Sequence, residues 1–221
     1  VLQEMADGAE VPAVDALARV AGSTEIDPVL AEICSRAAGF VAPLNAAQAR
    51  AAFGLPEDMD AATLAAEVFL GGEKALFDAL VPLLRKGGKP SDENLAKTLE
   101  STQETTGPLA TLAVLEKALL YGPSAKKQTP FSAKIGAIPT KDVRDNIVAH
   151  LMPDLEALME RVAEARPKRL ALQAAEAAAD LHSFAAVFLP RYADKKARRG
   201  WLDFDDLITR AAALLSDRGV A

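Results

Sequence analysis

The residues that most invite a chemical reading lie together near the end of the chain: Arg191, Lys195, Lys196, Arg198 and Arg199, then Gly200-Trp201-Leu202-Asp203-Phe204-Asp205-Asp206-Leu207-Ile208. Five cations within nine residues can neutralise phosphates without reading bases. Lys126, Lys127 and Lys134 form a second basic group, in a stretch from 123 to 139 that has no acidic residue. Three neighbouring carboxylates, Asp203, Asp205 and Asp206, can hold magnesium, but helix capping uses them more simply. In that reading Asp203 is the N-cap, Asp206 takes the reciprocal N3 position, and Asp205 lies near the positive end of the helix dipole. Trp201 can stack on a base, although burial as a staple ahead of the capped helix is the favoured reading.

Other chemistry finds no footing. No GxxxxGK[ST] loop occurs, and Gly87-Gly88-Lys89-Pro90 fails because proline follows the lysine and the upstream glycine is missing. HExxH and GxSxG are absent. Cys34 has no histidine near it in sequence and reads as a small hydrophobe. His150 and His182 lack partners at metal spacing, and one cysteine cannot form an internal disulfide. No catalytic residue and no metal or cofactor site are therefore expected in this chain.

The elements that must position these residues read as all-α. The 221 residues are half hydrophobic and a quarter charged, enough for one globular unit or two small ones. Alanine and leucine are abundant, and no stretch alternates apolar and polar residues with β-branched enrichment. Short helices are predicted near 12–21, 27–38, 45–53, 60–70 and 73–86, separated by glycines. Further helices start at Pro90-Ser91 and run from Pro108 to Tyr121, where Gly122-Pro123 stops the chain. After the basic loop, Thr140 is a good N-cap for a helix carrying Val148, Leu151, Leu155, Leu158 and Val162, kinked at Pro153. Pro167 opens a second long helix with Leu170, Ala174, Ala177, Leu181, Phe184 and Phe188 on one stripe. The two are expected to form a long antiparallel helical hairpin, an arm that Pro190 bends and Gly200 ends. The predicted organisation is thus a helical part over 1–122, a basic loop over 123–139, the hairpin over 140–200 and a last helix over 201–221.

The formal charge is −6 and unevenly spread. Residues 1–80 hold four basic and thirteen acidic side chains, a net −9, which leaves +3 for the other 141 residues. Contact with a polyanion is therefore expected in the C-terminal part. No run of roughly 18 apolar residues occurs and the first residues do not resemble a signal peptide, so a cytoplasmic location without membrane contact is expected. The chain opens at Val1 without an initiator methionine and reads as a piece of a longer protein.

The string Leu202-Asp203-Phe204-Asp205-Asp206-Leu207-Ile208, following a basic helix end and a glycine, resembles superfamily 1 helicases of the UvrD and RecB kind, and is most similar to the AddA type. The likeness covers about Arg191 to Leu215. In that family the string lies shortly before the Walker B segment, so the resemblance implies that this chain is the inserted 1B subdomain of the first motor domain plus the first helix returning to it. It implies a parent that is an ATP-dependent DNA helicase and nuclease, using ATP and magnesium held elsewhere, and acting with a partner nuclease subunit in double-strand break repair by recombination. The fragment itself then engages DNA weakly and without sequence preference. A competing reading makes it a helical docking module for a partner subunit.

Overall fold

The computed structural model describes residues 1–22, 25–42, 44–202 and 204–216. Glycine and proline punctuate its first 120 residues much as the sequence predicts. Helices run α1 Leu2–Ala6, α2 Val11–Ala21, α3 Ile26–Ser35, α4 Ala46–Ala52, α5 Ala61–Val68, α6 Glu73–Lys86, α7 Pro90–Glu104 and α8 Pro108–Leu119. Three of them, α2, α7 and α8, carry proline at the first or second position, where its missing N–H costs nothing. Asp60 caps α5 by accepting from the Thr63 amide at 2.7 Å, and that bond holds its carboxyl below the usual range. Two further helices follow, α9 Met152–Arg199 and α10 Phe204–Ser216. Among the described residues there is no strand, only an isolated antiparallel bridge between Leu120 and Ala133, and the all-α class expected from the sequence is what the chain adopts.

The chain divides into two compact units, one of residues 1–49 and 176–221, the other of residues 50–175. These cut across the predicted segment boundaries, because the first unit joins the two ends of the sequence. In the 50–175 unit, α6 packs on α7, α7 on α8 and α5 on α8. Leu80, Leu84, Leu99, Leu112, Leu115, Leu155, Leu158 and Val162 are all at most 1% exposed. Each leucine so buried contributes about 1.5–3 kcal/mol relative to an exposed one. In the other unit, Met5, Leu17, Ile33, Phe184 and Phe188 make a smaller core, with the two phenylalanine rings stacked 5.0 Å apart.

Two expectations are corrected here. First, the helix capped by Thr140 does not form as one piece: a π-turn over Val143–Ile147 and a 3-10 turn over Ala149–Leu151 come before α9 begins. Thr140 instead donates its hydroxyl and amide to the buried Asp92 carboxylate, at 2.6 and 2.8 Å. Pro153 falls in the first turn of α9, where its missing amide is not needed, and the irregular turns come just before it. Second, the hairpin expected over 140–200 is not formed: α9 is continuous for 48 residues through both Pro167 and Pro190. Reversal needs turn-forming residues, and Arg161 to Leu172 contain no glycine, asparagine, aspartate or serine. An interior proline costs about 3 kcal/mol, a penalty that the buried stripe on either side of Pro167, Val162, Ala165, Leu172 and Ala175, offsets. The stripe keeps its steps of three and four across Pro167, through Val162, Ala165, Arg169, Leu172 and Ala175, and Leu170, expected inside, lies off it at 41% exposure.

Candidate nucleic-acid interface

The C-terminal basic cluster sits on the last two turns of α9 and is fixed by the way that helix ends. Gly200 adopts φ 67°, its amide donates to the Ala197 carbonyl at 3.2 Å, and the Trp201 amide donates to the Lys196 carbonyl at 3.0 Å. This pair of bonds is a Schellman motif, and it requires the left-handed backbone that glycine adopts freely. The predicted stop at Gly200 is therefore the observed one.

The cations of the cluster are not idle. Arg191 pairs with Glu10, Lys195 with Glu4 at 2.8 Å, Lys196 with Asp206 at 2.6 Å, and Arg198 with Asp194 at 2.7 Å. The hydrogen bond between Glu4 and Lys195 pulls the carboxyl below and the ammonium above their ordinary values. The guanidinium of Arg199 lies 4.8 Å from the Trp201 ring centroid. Arg198 is 78% exposed, so its bond to Asp194 is one that salt or a phosphate can displace. The chain thus carries its own counter-charges for this cluster, and two of them, Glu4 and Glu10, come from the acidic first turns of the sequence.

The second basic group divides. Residues 121–134 fold back on themselves: the Tyr121 amide donates to Ser132 at 2.9 Å, the Phe131 amide to Tyr121 at 3.1 Å and the Lys134 amide to Leu119 at 2.9 Å. Lys126 and Lys127 are exposed and without an ion pair among the described residues. Lys134 turns inward, and its ammonium donates to the Ala118 carbonyl at 2.7 Å, where it completes the C-terminus of α8. Burial lowers its pKa. Lys134 is thereby a capping residue and not a free surface cation.

Around the acidic motif, the predicted cap Asp203 and the side chains of Phe204 and Asp205 lie outside the described residues. The Asp206 carboxylate reaches Lys196. The burial expected of Trp201 is corrected: it is 57% exposed, on the rim of a cavity that Phe188 and Tyr192 also line, with the Arg199 guanidinium over its ring. Leu202 and Leu207 are half-exposed, and Ile208, Leu214 and Leu215 more so, at 64%, 68% and 88%. At positions 207, 208, 214 and 215 these residues recur at steps of one and seven and so share one side of α10. That apolar side of α10 stands uncovered, and its signal in the sequence is the 3.6-residue period itself.

Among the described residues no three His, Cys, Asp or Glu side chains gather at metal-binding distance. No helix among them is long and apolar enough to cross a membrane. No protein-family model matches the chain, and no curated protein or solved structure matches it either.

Proposed function

We propose that the chain is a non-catalytic, DNA-engaging insert of an AddA-like helicase and nuclease, and that α10 is the helix by which it joins the ATP motor. The observation that carries this reading is α10 itself: the helix bearing the Leu207-Ile208 end of the motif leaves Leu207, Ile208, Leu214 and Leu215 in water, and such a stripe needs a body to cover it. The resemblance supplies that body, the motor domain to which the corresponding helix returns.

DNA contact in this reading is electrostatic exchange. Phosphates replace Asp194 beside Arg198 and gather at Lys126 and Lys127, while Trp201 and Arg199 offer a stacked pair at the helix end. Because the displaced carboxylates remain nearby and residues 1–80 are acidic, binding is weak, with a Kd of about 10⁻⁴ to 10⁻⁶ M at ordinary salt. Fluorescence anisotropy of a short labelled duplex tests this at 50 and 200 mM salt. Affinity should fall steeply with salt and fall again when Lys126, Lys127, Arg198 and Arg199 are reversed to glutamate; binding indifferent to salt removes phosphate contact from the reading.

A second reading, a docking module for a partner subunit, is favoured by the internal pairing of the basic cluster. Co-purification with the nuclease subunit through α10, together with no duplex affinity at any salt, selects it.

A further inference from the structure

A cavity of about 540 Å³ opens within the 50–175 unit, between the end of α8, the folded loop at 121–134 and α9. Its size falls in the range of about 300–1,000 Å³ usual for small-ligand pockets. Its charge is lopsided. Arg169 is 7% exposed and grips Glu116 with two N–H groups, at 2.5 and 2.7 Å, while a third donates to Gln173 at 2.8 Å. Glu116 is thereby satisfied. Arg166 stands next to this pair, 3.5 Å from the same carboxylate, and makes no hydrogen bond among the described residues. Lys117, exposed at the rim, has no ion pair, so the pocket holds cations in excess of its one carboxylate.

Arg166 is nevertheless held in place. Its guanidinium carbon lies 3.5 Å from the centroid of the Phe131 ring, and Phe131 is the one non-glycine residue of positive φ among the described residues, at 63°. A bulky side chain in the left-handed region is strained, and such outliers collect at ligand sites. The strain here sets an aromatic ring under a guanidinium that still has donors to give. A planar fork of unfilled N–H groups matches the oxygens of a phosphate, and the half-buried Tyr121 lines the same pocket with a ring on which a base can stack.

We infer that this pocket binds a nucleotide unit, its phosphate on Arg166 with Lys117 and its base against Tyr121. The phosphate belongs either to a free nucleotide or to single-stranded nucleic acid. The inference does not rest on the helicase reading, since it uses neither α10 nor the basic end of α9.

Titration of the whole chain with thymidine monophosphate, thymidine and a ten-residue oligothymidylate, followed by calorimetry, tests it. The monophosphate should bind saturably and thymidine should not, because the missing phosphate removes the contact to Arg166. An oligothymidylate that binds more tightly than the monophosphate identifies nucleic acid as the source; equal or weaker binding identifies a free nucleotide. Arg166→Gln should weaken the monophosphate about tenfold or more, and Tyr121→Ala about tenfold. Because Arg166 also stacks on Phe131, thermal melting accompanies that variant, and Lys117→Glu at the exposed rim provides the same loss without touching the stack. The proposal is overturned if the monophosphate does not bind the wild-type chain, if thymidine binds as tightly as the monophosphate, or if the monophosphate binds Arg166→Gln and Lys117→Glu as it binds the wild type. Intact duplex binding alongside a failed monophosphate titration strikes this pocket and leaves the proposed DNA role standing.

Discussion

Two stretches of α9 are rich in cations and use them in opposite ways. Between 161 and 169, Arg161 and Arg169 are sunk against Glu73 and Glu116, and each pair ties α9 to another helix of its unit. Between 191 and 199, Lys195 and Arg198 reach carboxylates that lie largely in water, Glu4 at 63% and Asp194 at 57% exposure. The same residue types therefore make fixed struts in one place and exchangeable contacts in the other. Availability for a ligand follows from burial of the partner, not from the count of basic residues.

The comparison breaks most visibly at Arg169. Arg169→Ala strips the buried Glu116 carboxylate of both its hydrogen bonds from that residue and leaves it only Arg166 at 3.5 Å, which should cost about 3 kcal/mol in urea denaturation, whereas replacing both Arg169 and Glu116 with leucine should recover most of that loss. A next effect comes from Gly87, where α6 meets the π-turn. A Cβ there would stand 2.3 Å from the buried Val143 side chain, so Gly87→Ala should destabilise by about 1–3 kcal/mol, measured the same way.

Acid provides a sharper probe of the buried end. Burial pushes the Glu73 carboxyl up, but amides of Leu70 and Gly71, at 3.0 and 2.9 Å, and the Arg161 guanidinium pull it further down, so its folded pKa lies below the ordinary value of 4.5. A depressed carboxylate contributes stability that is complete above its unfolded pKa and is lost as pH falls through the folded one. Stability should therefore drop below pH 4.5, and Glu73→Gln should flatten that drop in a pH series of melts. Least affected is the exposed end: Arg198→Ala should leave the melting temperature unmoved, because its pair with Asp194 is made between neighbours on one helix face in water. A marked shift there would erase the contrast between the two stretches.

Much of the helical order was legible. α6 runs Glu73–Lys86 as the apolar period and the flanking glycine pairs predict, and Pro90 and Pro108 open α7 and α8. What escaped reading depends on contacts distant in sequence. Five-residue α1 is too short to show a period and is anchored by Met5, which is fully buried. Pro167 reads as a helix start because local preference cannot weigh the burial on both sides of it against the missing hydrogen bond. The basic residues of the candidate interface were all visible, but their neutralisation was not, since Glu10 and Arg191 lie 181 positions apart. Nor does phenylalanine at 131 announce a left-handed backbone, which asparagine or glycine would have suggested.

The uncovered stripe of α10 has a practical consequence in the test tube. Aliphatic side chains at 207, 208, 214 and 215 form an adhesive strip on the purified chain, and two copies brought together can hide it from solvent at no cost in polar contacts. Sedimentation should accordingly show aggregation that rises with protein concentration, and glutamate at Ile208 and Leu215 should return the chain to a well-behaved monomer.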